Sequence, residues 1–130
     1  FDTVLGSLHA VTGMVRTMRV KADRMAEAAR EGFMAATDLA DYLVGKGMPF
    51  REAHGVVGRV VADCVKAGVT LQDLTAEELR SWSPLFGDDA PDAVAIDAVV
   101  SRRTTFGGTS PEAVAEQLVL LKEAVAGEAR

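Results

Sequence analysis

Apolar positions recur at intervals of three and four almost from the first residue of the chain. Val4, Leu5, Leu8, Val11, Thr12, Val15 and Met18 fall on one side of a helix, which predicts a first helix over 2–20. Gly6 and Gly13 lie inside it, each costing up to about 1 kcal/mol relative to Ala. Gly6, Ala10 and Gly13 share one side, where another helix could approach closely. Such a stripe requires partner helices.

Asp23 is placed to cap a short helix over 24–30, which Gly32 ends. Thr37 or Asp38 is placed to cap the next, running to Lys46 with Leu39, Ala40, Leu43 and Val44 inward. Lys46 and Gly47 stop it, because Gly takes the left-handed conformation at a helix end most readily. Pro49 then opens a helix over 49–67, where its missing N–H costs nothing. Phe50, Ala53, Val57, Val60, Val61 and Cys64 form its inward face and Gly68 stops it. A helical hairpin is therefore specified locally.

Thr75 and Glu78 form a capping box, each side chain serving the other's backbone N–H. The helix it starts ends before Pro84, and 83–91 reads as an irregular acidic turn. The segment 92–100 fits a short strand or a helical turn equally. Residues 104–109 form a glycine loop. Ser110, Pro111 and Glu112 then begin a last helix with a cap, a proline at its first position and a carboxylate near the positive end of the dipole. Val114, Leu118, Leu121 and Val125 are its stripe, and 127–130 is expected to fray. No internal repeat is present.

Composition agrees with an all-α fold. The chain has 130 residues, 48% of them hydrophobic but only 5% aromatic. Ala, Val, Leu and Met suit close helix packing better than a β-sandwich. The length fits one domain, or one domain and part of another, with roughly two thirds of the unfolded surface buried. A net charge of −5 with scattered Lys and Arg argues against a nucleic-acid surface. No apolar run approaches the ~20 residues a membrane helix needs. A single cysteine, Cys64, allows no intrachain disulfide and fits a reducing cytoplasm. Phe1-Asp2-Thr3 lacks Met and already lies in the helical pattern, with no basic segment of a signal peptide before it. The expectation is a piece of a longer chain, cut within a helix.

No set of residues reads as catalytic. His9 and His54 lack a second ligand at the spacing of a helical metal site. Cys64 lies on an apolar face, where a thiol is inert. Ser81, Ser83 and Ser101 lack the strand-to-helix context of an activated serine. Arg102-Arg103 before Gly107-Gly108 could cradle an anion, but no phosphate-loop pattern accompanies them and a structural turn is the better reading. Glu77-Glu78 and Asp88-Asp89 read as caps or solvated charges, the five methionines as core filling, and Trp82 as an anchor for the acidic turn. Catalytic, substrate-binding, cofactor and metal residues are all expected to be absent.

Thr37-Asp-Leu-Ala-Asp-Tyr-Leu-Val44, followed by Lys46-Gly-Met-Pro-Phe-Arg-Glu-Ala-His54, resembles the C-terminal region of the argininosuccinate lyase family. Leu74-Thr75 with Glu77-Glu78-Leu79, then Ser83-Pro-Leu-Phe86, then Ser101-Arg-Arg with Gly107-Gly-Thr109 and Pro111, agree in order. Phe1-Asp2-Thr3 and Thr12-Gly13-Met14 are similar to the end of the family's long central helix. The resemblance covers essentially the whole chain. Gly45 and Gly55 depart from it, standing where bulkier or charged residues are common, and should lower local helix stability.

The resemblance implies a cytoplasmic enzyme of arginine biosynthesis, within the fumarase and aspartase superfamily. It cleaves argininosuccinate reversibly to arginine and fumarate by general acid/base elimination, without a cofactor. It also implies a homotetramer built on a shared central helical bundle. Residues 1–20 would be the end of a bundle helix and 21–130 the small helical C-terminal domain. The family's GSSxMPQKxNP loop is absent here, and its substrate-binding Tyr, Gln and Lys fall before Phe1, so no catalytic or substrate-binding role transfers. The piece would serve structure and assembly. The alternative is a stand-alone helical interaction module without catalysis.

Overall fold

The computed structural model describes residues 1–128, and these contain helices and turns but no strand. The order is α1 (Asp2–Thr17), α2 (Ala22–Glu31), α3 (Ala36–Gly45), α4 (Phe50–Ala67), a 3-10 turn (Leu71–Asp73), α5 (Ala76–Trp82), α6 (Ala90–Val94), α7 (Ile96–Ser101) and α8 (Pro111–Glu128). Of the segment 127–130 expected to fray, Gly127 and Glu128 continue α8, and 129–130 lie outside the described residues.

The hairpin of α3 and α4 is the centre of the fold. Gly47 takes a left-handed φ of 98°. Met48 N–H donates to the Leu43 carbonyl and Gly47 N–H to that of Val44, so two carbonyls at the end of α3 are satisfied. Gly68, at φ 70°, ends α4 in the same way, with Val69 N–H donating to the Cys64 carbonyl and Gly68 N–H to that of Val65. Pro49 stands one residue earlier than expected. It is the extended residue before α4, and its carbonyl accepts from Glu52 and Ala53.

Leu39, Ala40 and Leu43 of α3 pack on Ala53, Val56, Val57, Val60 and Cys64 of α4. Leu71, Leu74, Leu79, Phe86, Ala90 and Val94 close the remaining side. Val44 and Phe50 instead face solvent, since each lies at the open end of the hairpin next to the turn. The Thr75–Glu78 capping box is present, with Glu78 N–H donating to Thr75 Oγ1 at 3.2 Å. A second box, Thr70–Asp73, opens the 3-10 turn. The Ser110 hydroxyl caps α8 by accepting from Ala113 N–H.

Several expectations need correction. The first helix stops at Thr17, not Val20: the Thr17 hydroxyl donates to the carbonyls of Gly13 and Met14, and Met18 turns extended. Asp23 lies in the first turn of α2 and makes no cap bond, because α2 starts at Ala22. Ala35 precedes α3, leaving Thr37 exposed and freeing Asp38 to turn inward. The open segment 92–100 is helical, broken at Ala95, whose extended backbone (ψ 123°) separates α6 from α7.

Candidate functional site

The residues singled out for chemistry are dispersed or used by the fold. His9 is exposed on α1, and the His54 ring on α4 lies beside that of Phe50, centroids 6.2 Å apart. Cys64 is 2% exposed, and burial, helped by the carboxylates of Asp63, Asp73 and Glu78, pushes its thiol up, away from the reactive thiolate. Ser81 Oγ donates to the Glu78 carbonyl, and buried Ser83 accepts from Leu85 N–H. Ser101 is exposed. Among the described residues no group of three His, Cys, Asp or Glu side chains is arranged to hold a metal ion. No helix among them is long and apolar enough to cross a membrane.

The acidic residues serve as ties. Asp89 accepts from the Tyr42 hydroxyl at 2.5 Å and from Lys46 Nζ at 3.3 Å. Tyr42, then Lys46, hold its carboxyl below the ordinary range, and Tyr42, then Asp89, hold the Lys46 ammonium above its own. Gly87 N–H donates to the same Tyr42 oxygen, and the Tyr42 ring stacks on buried Phe86 at 6.0 Å. Arg80 donates to the Phe86 carbonyl and to Asp88. The acidic turn is thus anchored by Tyr42 and Arg80. Trp82, expected in that role, donates its indole N–H to Asp63 and fastens α5 to α4. That bond, with Lys66 second, lowers the Asp63 carboxyl. The capping boxes lower Asp73 and Glu78 through the backbone N–H and hydroxyl of Thr70 and Thr75.

Arg102 and Arg103 do not form an anion cradle. Arg103 Nη2 donates to both oxygens of Asp38, at 2.8 and 3.0 Å, and Arg102 Nη2 donates to the Ala93 carbonyl at 2.5 Å. The glycine loop is a structural turn, with Gly107 at φ 80°. Asp38 is the residue that sequence reasoning placed wrongly. Its partner lies 65 positions away, and no local pattern marks the pairing.

What remains uncovered is apolar. No residue of α1 is buried, so Val4, Leu5, Leu8, Val11, Met14 and Val15 all face solvent. On α8, Val114, Leu118, Leu121 and Val125 do the same. The methionines follow this division. Met48 packs on the core, whereas Met14, Met18, Met25 and Met34 are exposed, because they lie on α1, on α2 or in the connections beside them. Two cavities are of note. One of about 260 Å³ between α3 and α4 is lined mainly by Ala36, Ala40, Phe50, Val57 and Val61. Another of about 470 Å³ lies between α2 and the 3-10 turn, lined by Glu27, Glu31, Asp73 and Asp97 with Arg30 and Gln72. Neither gathers a nucleophile with a base within hydrogen-bond reach.

The described residues thus form a closed helical core flanked by helices whose apolar stripes are exposed. Residues 33–101 match the family model described as argininosuccinate lyase C-terminal. The chain is 51% identical over 122 residues to the argininosuccinate lyase of Symbiobacterium thermophilum, covering 94% of this chain and 26% of that protein. It is 49% identical over 121 residues to that of Geobacillus thermodenitrificans (93% and 26%). With the enzyme of Carboxydothermus hydrogenoformans it shares 46% over 125 residues (96% and 27%). The chain belongs to the argininosuccinate lyase family and corresponds to its C-terminal region. It spans about a quarter of the length of these relatives.

Proposed function

We propose that the chain is the C-terminal portion of an argininosuccinate lyase that cleaves argininosuccinate reversibly to arginine and fumarate by general acid/base elimination, in the cytoplasm. The observation that carries this reading is the 46–51% identity to argininosuccinate lyases over nearly the whole chain. Removing a proton beside a carboxylate and expelling a guanidinium nitrogen require a placed base, an acid and fixed donors for the developing charge. On this reading the reacting groups reside elsewhere in the enzyme and this portion is structural. Residues 1–20 form the end of a central-bundle helix, and 21–130 the C-terminal domain. The bare stripe of α1 is then covered by helices of a homotetramer. A stand-alone helical module is the second reading, favoured by a core that closes on itself between Ala35 and Val94.

One assay separates the two. The complete reading frame that encodes the chain, expressed and purified, is expected to release fumarate from argininosuccinate, and the 130 residues alone to release none. A complete product without turnover favours the module. Turnover by the 130 residues alone overturns the structural role.

A further inference from the structure

Helix α8 meets the rest of the domain only at its beginning. Ser110 and Ala113 are buried and Gln117 is half-buried, whereas every other α8 residue through Gly127 is exposed. Its direction is therefore set by the loop that feeds it. In that loop Arg103 is bonded at both ends. Its guanidinium donates twice to Asp38 on α3, and its carbonyl accepts from the N–H of Ser110, the residue that caps α8. The Asp38 side chain is 4% exposed, so this charge has left water and depends on its partner. Gly108 completes the arrangement. A methyl group there would stand inside van der Waals contact with the carbonyl oxygens of Arg103 and Thr105. The Gly108 carbonyl in turn accepts from Gln117, about two turns into α8.

We propose that Asp38 and Arg103 form a latch that fixes the direction in which α8, with its bare apolar stripe, leaves the domain. Arg103 is a positioning residue: its side chain grips the core while its backbone holds the cap. The Arg102 guanidinium lies 3.6 Å from the same carboxylate and adds a second positive charge beside it. The latch requires nothing of the lyase assignment.

Spin labels on the full chain at Arg59→Cys in α4 and Lys122→Cys in α8 report the distance between the two helices, with buried Cys64 left in place. The parent is expected to give one narrow distribution. Asp38→Asn and Arg103→Gln are each expected to broaden it about twofold with helix content retained. The double variant is expected to broaden it by less than the sum of the single effects, since both remove the Asp38–Arg103 interaction. Gly108→Ala opens the same loop without touching the ion pair and is expected to broaden it too. If either charge variant loses its helix content, Gly108→Ala decides. Unchanged widths overturn the latch, as does a double variant that sums the single effects. Loss of helix content in all three single variants also overturns it, by placing these residues in the core fold.

Discussion

The middle of the molecule and its two ends are made of the same residue types but face opposite situations. Leu39, Leu43, Val60 and Leu79 are at most 1% exposed. Leu8, Val11, Leu118 and Leu121 are each about half exposed or more, although the helical spacing that places them is the same. Hydrophobic pattern thus fixes which side of a helix is apolar, and the rest of the chain decides whether that side is covered. In the middle, short connections closed by Gly47 and Gly68 fold each stripe back on its neighbour. Along α1 and α8 no such return exists among the described residues, and their stripes stay exposed.

The largest effect expected is from Phe86→Ala. Phe86 is fully buried against Tyr42, and its loss should cost about 3–5 kcal/mol in the denaturation midpoint of the isolated chain. Leu8→Ala on α1 should stay within about 0.5 kcal/mol in the same experiment. Equal costs would erase the distinction between middle and ends. Gly47→Val should cost more than about 1 kcal/mol, because a β-branched residue resists the φ of 98° that closes the hairpin. An unchanged midpoint would mean that the turn tolerates another ending. Thr75→Ala, which removes a cap, should cost about 1 kcal/mol.

The smallest effect comes from pH. Asp63, Asp73, Glu78 and Asp89 all have carboxyls held below their ordinary range. Their contribution is complete above the unfolded values of about 4 and is lost as pH falls through the lower folded values. Lys46, held above its ordinary range, contributes below that range and loses its share as pH rises through the folded value. A midpoint flat through neutrality, falling in acid and declining again in strong base, is the expected profile. A stability maximum in acid would contradict these ties.

Features with local causes could be read from the sequence. Gly47, Gly68, Thr75 with Glu78, and Ser110 each act within five residues, and each behaves as its residue type dictates. The Thr70–Asp73 box carries the same Thr-x-x-acid signal and was equally legible. Non-local features were not. Asp38 looks like a cap, but its carboxylate is buried and paired with Arg103 from 65 positions away. Segment 92–100 stayed open because five- and six-residue helices carry too few turns to establish a period.

Hydrogen exchange tests the contrast most directly. In the isolated 130-residue chain, amides of α3, α4 and α5 should be strongly protected, while α1 and the second half of α8 exchange almost as free helices do. In the complete enzyme both ends should become protected. Ends as protected in the isolated chain as the middle, or still unprotected in the complete enzyme, would contradict the account.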